Sequence, residues 1–510
     1  VRFLLRPEGA LLVLLLLAPA AHADERSDLE QLRNTTVNLI KQMVSDGLMS
    51  QDKADALLKQ VEAIGASPEA AKPAVSVPYV PETVKKEMID QIRKDVMEQA
   101  RVERWAEPNA IPAWTRRISF DGDVRFRYQQ DLFDPNNAPA ALFQAFGQNI
   151  NNTTEDRSRL RLRARINARA RVADTVDAGF GLATGTTGST GSPNSTNNTL
   201  GDSFNRESAG INLAYVRWAP TEWLRMVGGR FENPFLTSDL IWAPDLSFDG
   251  VAVSLLPKID PGTIGVITVG AFPLKETEPN PSNGTIKNKW LYAAQVGVNY
   301  RWTSTATLKL GVALYDYKNI EGIPNTDPAN PNQFDWTAPQ FRQKGNTLFP
   351  INLAGNPPLF GLASKFRISS SIAELDLAQY DPVHVTLLGD YAVNHGFDRG
   401  EIFQRTGGLD VEPRVTAWQL RAQVGYRTIE RRGDWFAFGG YKLLQRDSVL
   451  DAFNDGDFYL GGTNAKGWFL GGGWGVDRNA WIGAKYTTAN QIDGPPLAID
   501  VFMIDFNASF

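Results

Sequence analysis

The sequence predicts an all-β fold, a 16-stranded antiparallel transmembrane β-barrel with an N-terminal α-helical periplasmic extension. Three observations lead there. From Arg117 onward the apolar period changes from helical to two, the period of a strand with one apolar face. The connections alternate between short turns and long polar loops, the asymmetry of outer-membrane barrels. The last segment alternates to its end and finishes on Phe510, with Phe502, Ile504 and Phe506 on the same face. A free apolar strand edge invites aggregation, whereas a barrel pairs its last strand with its first. This face is therefore also expected to be the signal read by the barrel-assembly machinery.

The elements follow in order. Arg2 and Arg6, the apolar run Leu11 to Leu17 and the Ala21-His22-Ala23 site read as a signal peptide over residues 1–23. Residues 24–65 form a helical segment, with Leu29, Leu32, Leu39, Ile40, Met43 and Val44 near helical spacing. Residues 66–81 are a Pro-rich linker carrying Pro68, Pro73, Pro78 and Pro81. Residues 82–114 hold an amphipathic helix and a junction, and Val84, Met88, Ile92 and Val96 recur at every fourth position. That stripe suits a short coiled coil between subunits or a helix lying on its own chain.

Residues 115–510 are the barrel. The predicted strands are 117–129, 157–171, 176–186, 209–218, 223–231, 248–256, 263–272 and 289–300, then 305–317, 371–380, 383–394, 415–427, 435–446, 465–476, 481–490 and 497–510. The stretches 187–208 and 318–370 read as long polar loops, and the tract Asn194 to Asn198 as a solvated part of one. The chain has no cysteine, so an exported protein of 510 residues must be stabilised by its ladder rather than by disulfides. Beyond residues 11–17 no apolar run approaches the length of a membrane-spanning helix.

The chemistry concentrates in one strand. Arg157, Arg159, Arg161, Arg163, Arg165, Arg169 and Arg171 share a face, interrupted only by Asn167. Leu160, Leu162, Ala164, Ile166, Ala168 and Ala170 make the other. An arginine facing lipid at the midplane costs roughly 2–4 kcal/mol, so the charged face looks into the lumen. Arg125 and Arg127 on the preceding strand join it as pore-lining residues. Asp121, Asp123, Glu374 and Asp376 share the inward parity, but seven arginines in one strand exceed what nearby acids are expected to neutralise.

The third long loop, near 232–247, mixes Phe235, Leu236, Leu240, Ile241 and Trp242 with acids. Such apolar residues suit a loop folded inward on the wall. Glu232, Asp239 and Asp245 would then face the arginines across a constriction. A loop lying on a subunit interface is the other reading.

Several runs are similar to the "putative porin" family of Gram-negative bacteria: Trp105 to Arg127 at the helix-to-strand junction, Arg157 to Arg165, Gly228 to Phe235, and Asp245 to Val251. The resemblance covers the chain from about residue 80 to its end. By likeness to the trimeric general porins it implies a 16-stranded barrel, an inward third loop and a homotrimer in outer-membrane lipid and lipopolysaccharide.

No catalytic set appears. His22 lies in the signal, while His384 and His395 have no cysteine partners or metal-ligand spacing. No phosphate-binding or dinucleotide motif is present. A net charge of −5 gives no reason to expect nucleic acid. The expected function is a non-enzymatic, cofactor-free porin passing small hydrophilic solutes, with an anion preference from the arginines. A phosphate-selective channel and a plugged structural tether to peptidoglycan are the alternatives.

Overall fold

A strand in lipid must pair both of its edges, because no water is there to satisfy its backbone. The computed structural model describes Gln91, Lys94 and residues 117–510, apart from 187–190, 279–285 and 354–357. The signal peptide, the segment 24–65, the linker 66–81 and the stripe from Val84 to Val96 lie outside the described residues. The chain divides into two units, 1–107 and 108–510, and the second holds the sheet.

Every predicted segment is a strand, and together they make sixteen. The first eight are β1 Ile118–Phe133, β2 Arg157–Ala173, β3 Val176–Thr184, β4 Ala209–Thr221, β5 Leu224–Glu232, β6 Ser247–Leu255, β7 Thr263–Lys275 and β8 Lys289–Thr303. The others are β9 Ala306–Lys318, β10 Arg367–Tyr380, β11 Val383–Asn394, β12 Thr416–Gly425, β13 Trp435–Leu444, β14 Ala465–Asp477, β15 Ala480–Gln491 and β16 Ala498–Ser509. Each pairs antiparallel with its neighbours in sequence, and β16 pairs with β1, so the wall closes. The short strands Asn198–Thr199 and Lys258–Asp260 extend this sheet. Contrary to a purely polar loop, 318–370 contains a separate hairpin of Leu348–Pro350 with Phe360–Leu362. Phe349 and Phe360 are buried there, so the pairing is held by apolar packing.

The pleat sorts side chains to two environments. Outside, Val124, Phe126, Ile166, Val216, Val296 and Leu420 are among the exposed apolar residues of a continuous belt. Phe120, Trp218, Trp223, Trp302, Tyr380 and Phe510 are exposed aromatics at the short-turn end, where a membrane interface favours them. Inside, the wall has two characters. On β5 to β9 it is aromatic, with Phe231, Phe248, Phe272, Tyr315 and Tyr317 buried. On β1, β2 and β16 it is charged. Two long loops fill the space between these faces. They are the third, 233–246, and the seventh, 445–464.

The closing seam depends on the last residue. Phe510 N donates to the Gly122 carbonyl at 3.1 Å, and Gly122 N donates to the Phe510 carbonyl at 3.0 Å. A Cβ on Gly122 would lie 2.6 Å from the Phe510 ring and 2.5 Å from the Arg165 carbonyl oxygen. We expect Gly122→Val and deletion of Phe510 each to lower the yield of barrel in the membrane fraction. Heat-modifiable migration on gels reads this out, and normal yield of both variants would contradict it.

Candidate pore constriction

The register of β1 against β2 sets Arg125 opposite Arg163 and Arg127 opposite Arg161. Like charges directly opposite on neighbouring strands destabilise a sheet by roughly 0.2–1 kcal/mol per pair. Carboxylates from three directions offset this. From the seam, Arg127 Nε donates to Asp505 at 2.6 Å, and β16 places that residue directly opposite it. From β1 itself, Asp123 accepts from Arg163 at 2.9 Å and Arg165 at 2.6 Å, while Asp131 accepts from Arg159 at 2.8 Å. From the loops, Asp457 accepts from Arg127 at 2.8 Å, and Asp245 lies 3.5 Å from Arg163 and 3.4 Å from Arg165.

This corrects the expected charge excess. Arg159, Arg163, Arg165, Arg169 and Arg171 all have carboxylate partners within 4 Å. Arg161 stands apart, donating to Gln129 at 3.0 Å with no ion pair among the described residues. Arg125 donates to Asn197 at 2.5 Å, with Asp505 no nearer than 3.9 Å. Arg157 lies exposed at the long-loop end of β2.

The third loop enters the barrel through its apolar side chains. Phe235 meets Phe248, Phe272 and Tyr315 edge-on, with ring centroids 6.1, 6.0 and 5.5 Å apart. Trp242 does the same with Phe248 at 4.9 Å and Tyr315 at 5.3 Å. Such pairs add about 0.5–1.5 kcal/mol each beyond their buried area. Gln295 on β8 holds both the N–H and the carbonyl of Leu236, and Asp390 on β11 accepts from Ser238.

The three loop acids do not act together. Asp245 reaches the arginines, and Glu232, at the end of β5, meets only the outer Arg169 at 3.4 Å. Asp239 turns away from the ladder to Lys442 on β13, 3.2 Å off and almost wholly buried. The expectation that all three face the ladder fails because the two apolar anchors, Phe235 and Trp242, orient the loop between them. Burial alone would raise the Asp239 carboxyl. The charges of Lys442 and Lys485, with help from Gln419 and Arg421, instead hold it at about 2.

Two contributors escaped the sequence reading. The seventh loop carries Asp455 and Asp457 into the lumen, anchored by buried Val449, Leu450, Phe458 and Tyr459. Asp455 lies 3.7 Å from Lys485 on β15. Burial opposes the charge on Asp457, but Arg127, Lys485, Arg125 and Arg161 keep it far below the usual carboxylate range. The only local signal was the alternation of acids with aromatics from Asp451 to Tyr459. The second is the tract Asn194 to Asn198, which is not solvated. Asn194, Thr196 and Asn198 are buried, and Thr196 donates twice to Asp245.

Two cavities lie along the charged side of the interior. One, of 900 Å³, opens toward the short-turn end and is lined by Asp121, Asp123, Glu232 and Arg421 among others. The other, of 260 Å³, lies toward the long loops and is lined by Arg125, Arg159, Arg161 and Arg163. Both are bounded by Pro244, Asp245, Asp455 and Asp457, so the third and seventh loops separate them. Among the described residues no group of three His, Cys, Asp or Glu could hold a metal ion.

A closed antiparallel wall with an apolar outer belt and loops folded into a charged interior defines an outer-membrane channel of the porin kind. The family described as "putative porin" matches residues 33–510, and the chain belongs to it. Among solved structures the chain is similar to the outer-membrane channel DcaP of Acinetobacter baumannii. Identity there is 12%, covering 77% of this chain and 97% of that one, with a TM-score of 0.40. It is also similar to OprB of Pseudomonas putida at high pH (12% identity, 78% and 95% covered, TM-score 0.45). A third is OmpF of Salmonella typhi in complex with daunomycin (9%, 77% and 97%, TM-score 0.39). No curated protein sequence matches.

Two predictions follow from the anchors. Lys442→Met removes the one cation among the described residues in direct contact with Asp239. Breaking a buried pair costs roughly 3–5 kcal/mol, so the third loop should loosen, seen as noisier single-channel current and faster proteolysis within 233–246. The second is a pH dependence. A carboxylate depressed in the folded state contributes its full stability above about pH 4 and loses it as pH falls through its folded value. Current noise should therefore stay flat from pH 7 to about 4 and rise as Asp239 protonates toward about 2. Noise that rises already between pH 7 and 5 would contradict this assignment.

Proposed function

We propose that the protein is a passive porin for small hydrophilic solutes. Their path runs through the two cavities and past the layer of Asp245, Asp455 and Asp457. The observation that carries this reading is the series arrangement of the cavities, one on each side of the inserted loops and both lined by charged side chains. Arg125 and Arg161 have the weakest carboxylate compensation in the ladder's inner part and supply the anion preference. The preference is weak, because the larger cavity balances Asp121, Asp123, Glu232 and Asp239 against Arg165, Arg169, Arg421 and Lys485, and the layer bounding it adds Asp245, Asp455 and Asp457. A phosphate-selective path has less support, since most guanidinium forks are occupied by carboxylates. We extend the proposal to a homotrimer of barrels, each inserted through recognition of its Phe502, Ile504, Phe506 and Phe510 face by the barrel-assembly machinery. The N-terminal region would be periplasmic, on the side of the short turns.

Planar-bilayer recording tests the proposal. Steady open current is expected, and its absence would favour a plugged tether. Fields inside a passage narrower than the roughly 8 Å Debye length are little screened. Changing Arg125 and Arg161 together to Gln should therefore move the reversal potential in a KCl gradient toward the cation side, with conductance little altered. Asp121→Asn with Asp123→Asn should move it the other way. An unchanged potential in both would remove these residues from the conducting path.

A further inference from the structure

A third cavity lies beside this path and has a different chemistry. It measures 780 Å³ and lies against the aromatic side of the wall, between β6, β7, β8 and the third and seventh loops. Trp242, Phe248, Phe272, Phe341 and Phe453 supply aromatic surface. Trp242 and Phe248 are 4.9 Å apart, Phe248 and Phe272 5.0 Å, so their rings form one continuous patch. The volume is in the range of small-molecule sites, which are mainly apolar with a few converging polar groups.

The polar groups here are basic. Lys275 on β7 and Lys289 on β8 stand directly opposite each other, and both line the cavity. Neither has a carboxylate within 4 Å among the described residues. Lys289 is almost wholly buried, and its Nζ donates to the carbonyls of Thr337 and Ala338 at 2.9 Å each. Lys275 reaches only the Trp336 carbonyl, at 3.5 Å. An ammonium has three donors, so three remain between the two lysines. Glu321 acts on Lys289 only from a distance, with no ion pair between them. Arg230 and Asp249 satisfy each other at 2.8 Å. Burial pushes the Asp451 carboxyl up to about 7, which leaves it a weak counter-charge at neutral pH.

We propose that this cavity binds a small aromatic carboxylate, its ring on the Trp242–Phe248–Phe272 patch and its carboxylate between Lys275 and Lys289. An anion there would favour the ammonium form of both opposed lysines, and a ring would cover apolar surface that water solvates poorly. The cavity shares Ser192 with the smaller cavity, and Trp242, Leu246 and Ser247 with the larger one, so it is a side chamber of the interior. The proposal rests on the channel reading only for how the ligand arrives.

Calorimetric titration of the full chain in detergent with benzoate, benzamide and acetate tests it. Benzoate should bind at one saturable site, benzamide more weakly because it lacks charge, and acetate not measurably because it lacks a ring. Lys275→Gln removes one charge held by a single long bond and should keep the fold. It is expected to weaken benzoate several-fold and leave benzamide unchanged. With Lys289→Gln added, the loss should reach at least about tenfold, the scale of a charge-assisted hydrogen bond. Equal benzoate affinity in wild type and Lys275→Gln, benzamide binding as tight as benzoate, or no saturable binding would each overturn the site. Bilayer current on the same preparation separates the two readings. Benzoate binding without current would leave the site and remove the channel, and current without benzoate binding would do the reverse.

Discussion

The interior is organised around two like-charge contacts that the strand register imposes. Arginine 125 faces arginine 163 across the β1–β2 ladder, and arginine 127 faces arginine 161. Neither pair can slip apart, because a shift by one residue would turn the whole charged face toward lipid. The charges must be met from inside the barrel. Asp505 meets them from the closing strand, Asp245 and Asp457 from loops that would otherwise stay in water. The loops thus have an electrostatic reason to enter as well as an apolar one.

The two reasons are spatially divided. Strands β5 to β9 offer rings, and the third loop answers with Phe235 and Trp242. Strands β1 and β2 offer guanidinium groups, and both loops answer with carboxylates, as β16 does through Asp505. A loop gripped at one end by dispersion and at the other by charge is held across the lumen rather than along it. Lys442 and Lys485 tie the same loops to a third sector, β13 and β15, which closes the arrangement around the remaining space.

Much of this was legible in the sequence, for a physical reason. Alternation is local, and the cost of charge in lipid is large, so the sixteen strands and the inward arginine face of β2 could be read residue by residue. The apolar residues of the third loop also announced its burial. The partner of Asp239 could not be read, because Lys442 is brought to it by closure of a sheet more than two hundred residues long. The role of the seventh loop was hidden for the same reason: Asp457 and Arg127 meet only across the seam. The Asn194 to Asn198 tract misled because polarity alone does not separate a solvated loop from one whose amides are buried and bonded.

The order of charge along the interior has one more consequence. The smaller chamber presents Arg125, Arg159, Arg161 and Arg163, the layer that bounds it presents Asp245, Asp455 and Asp457, and the larger chamber beyond holds acids and bases in equal number. A cationic chamber placed end to end with an acidic layer forms a bipolar junction. One polarity of applied voltage draws anions and cations together into the boundary, and the other sweeps both out. A conducting path with this layout rectifies, and a zwitterionic solute crossing it turns its negative end toward the long loops.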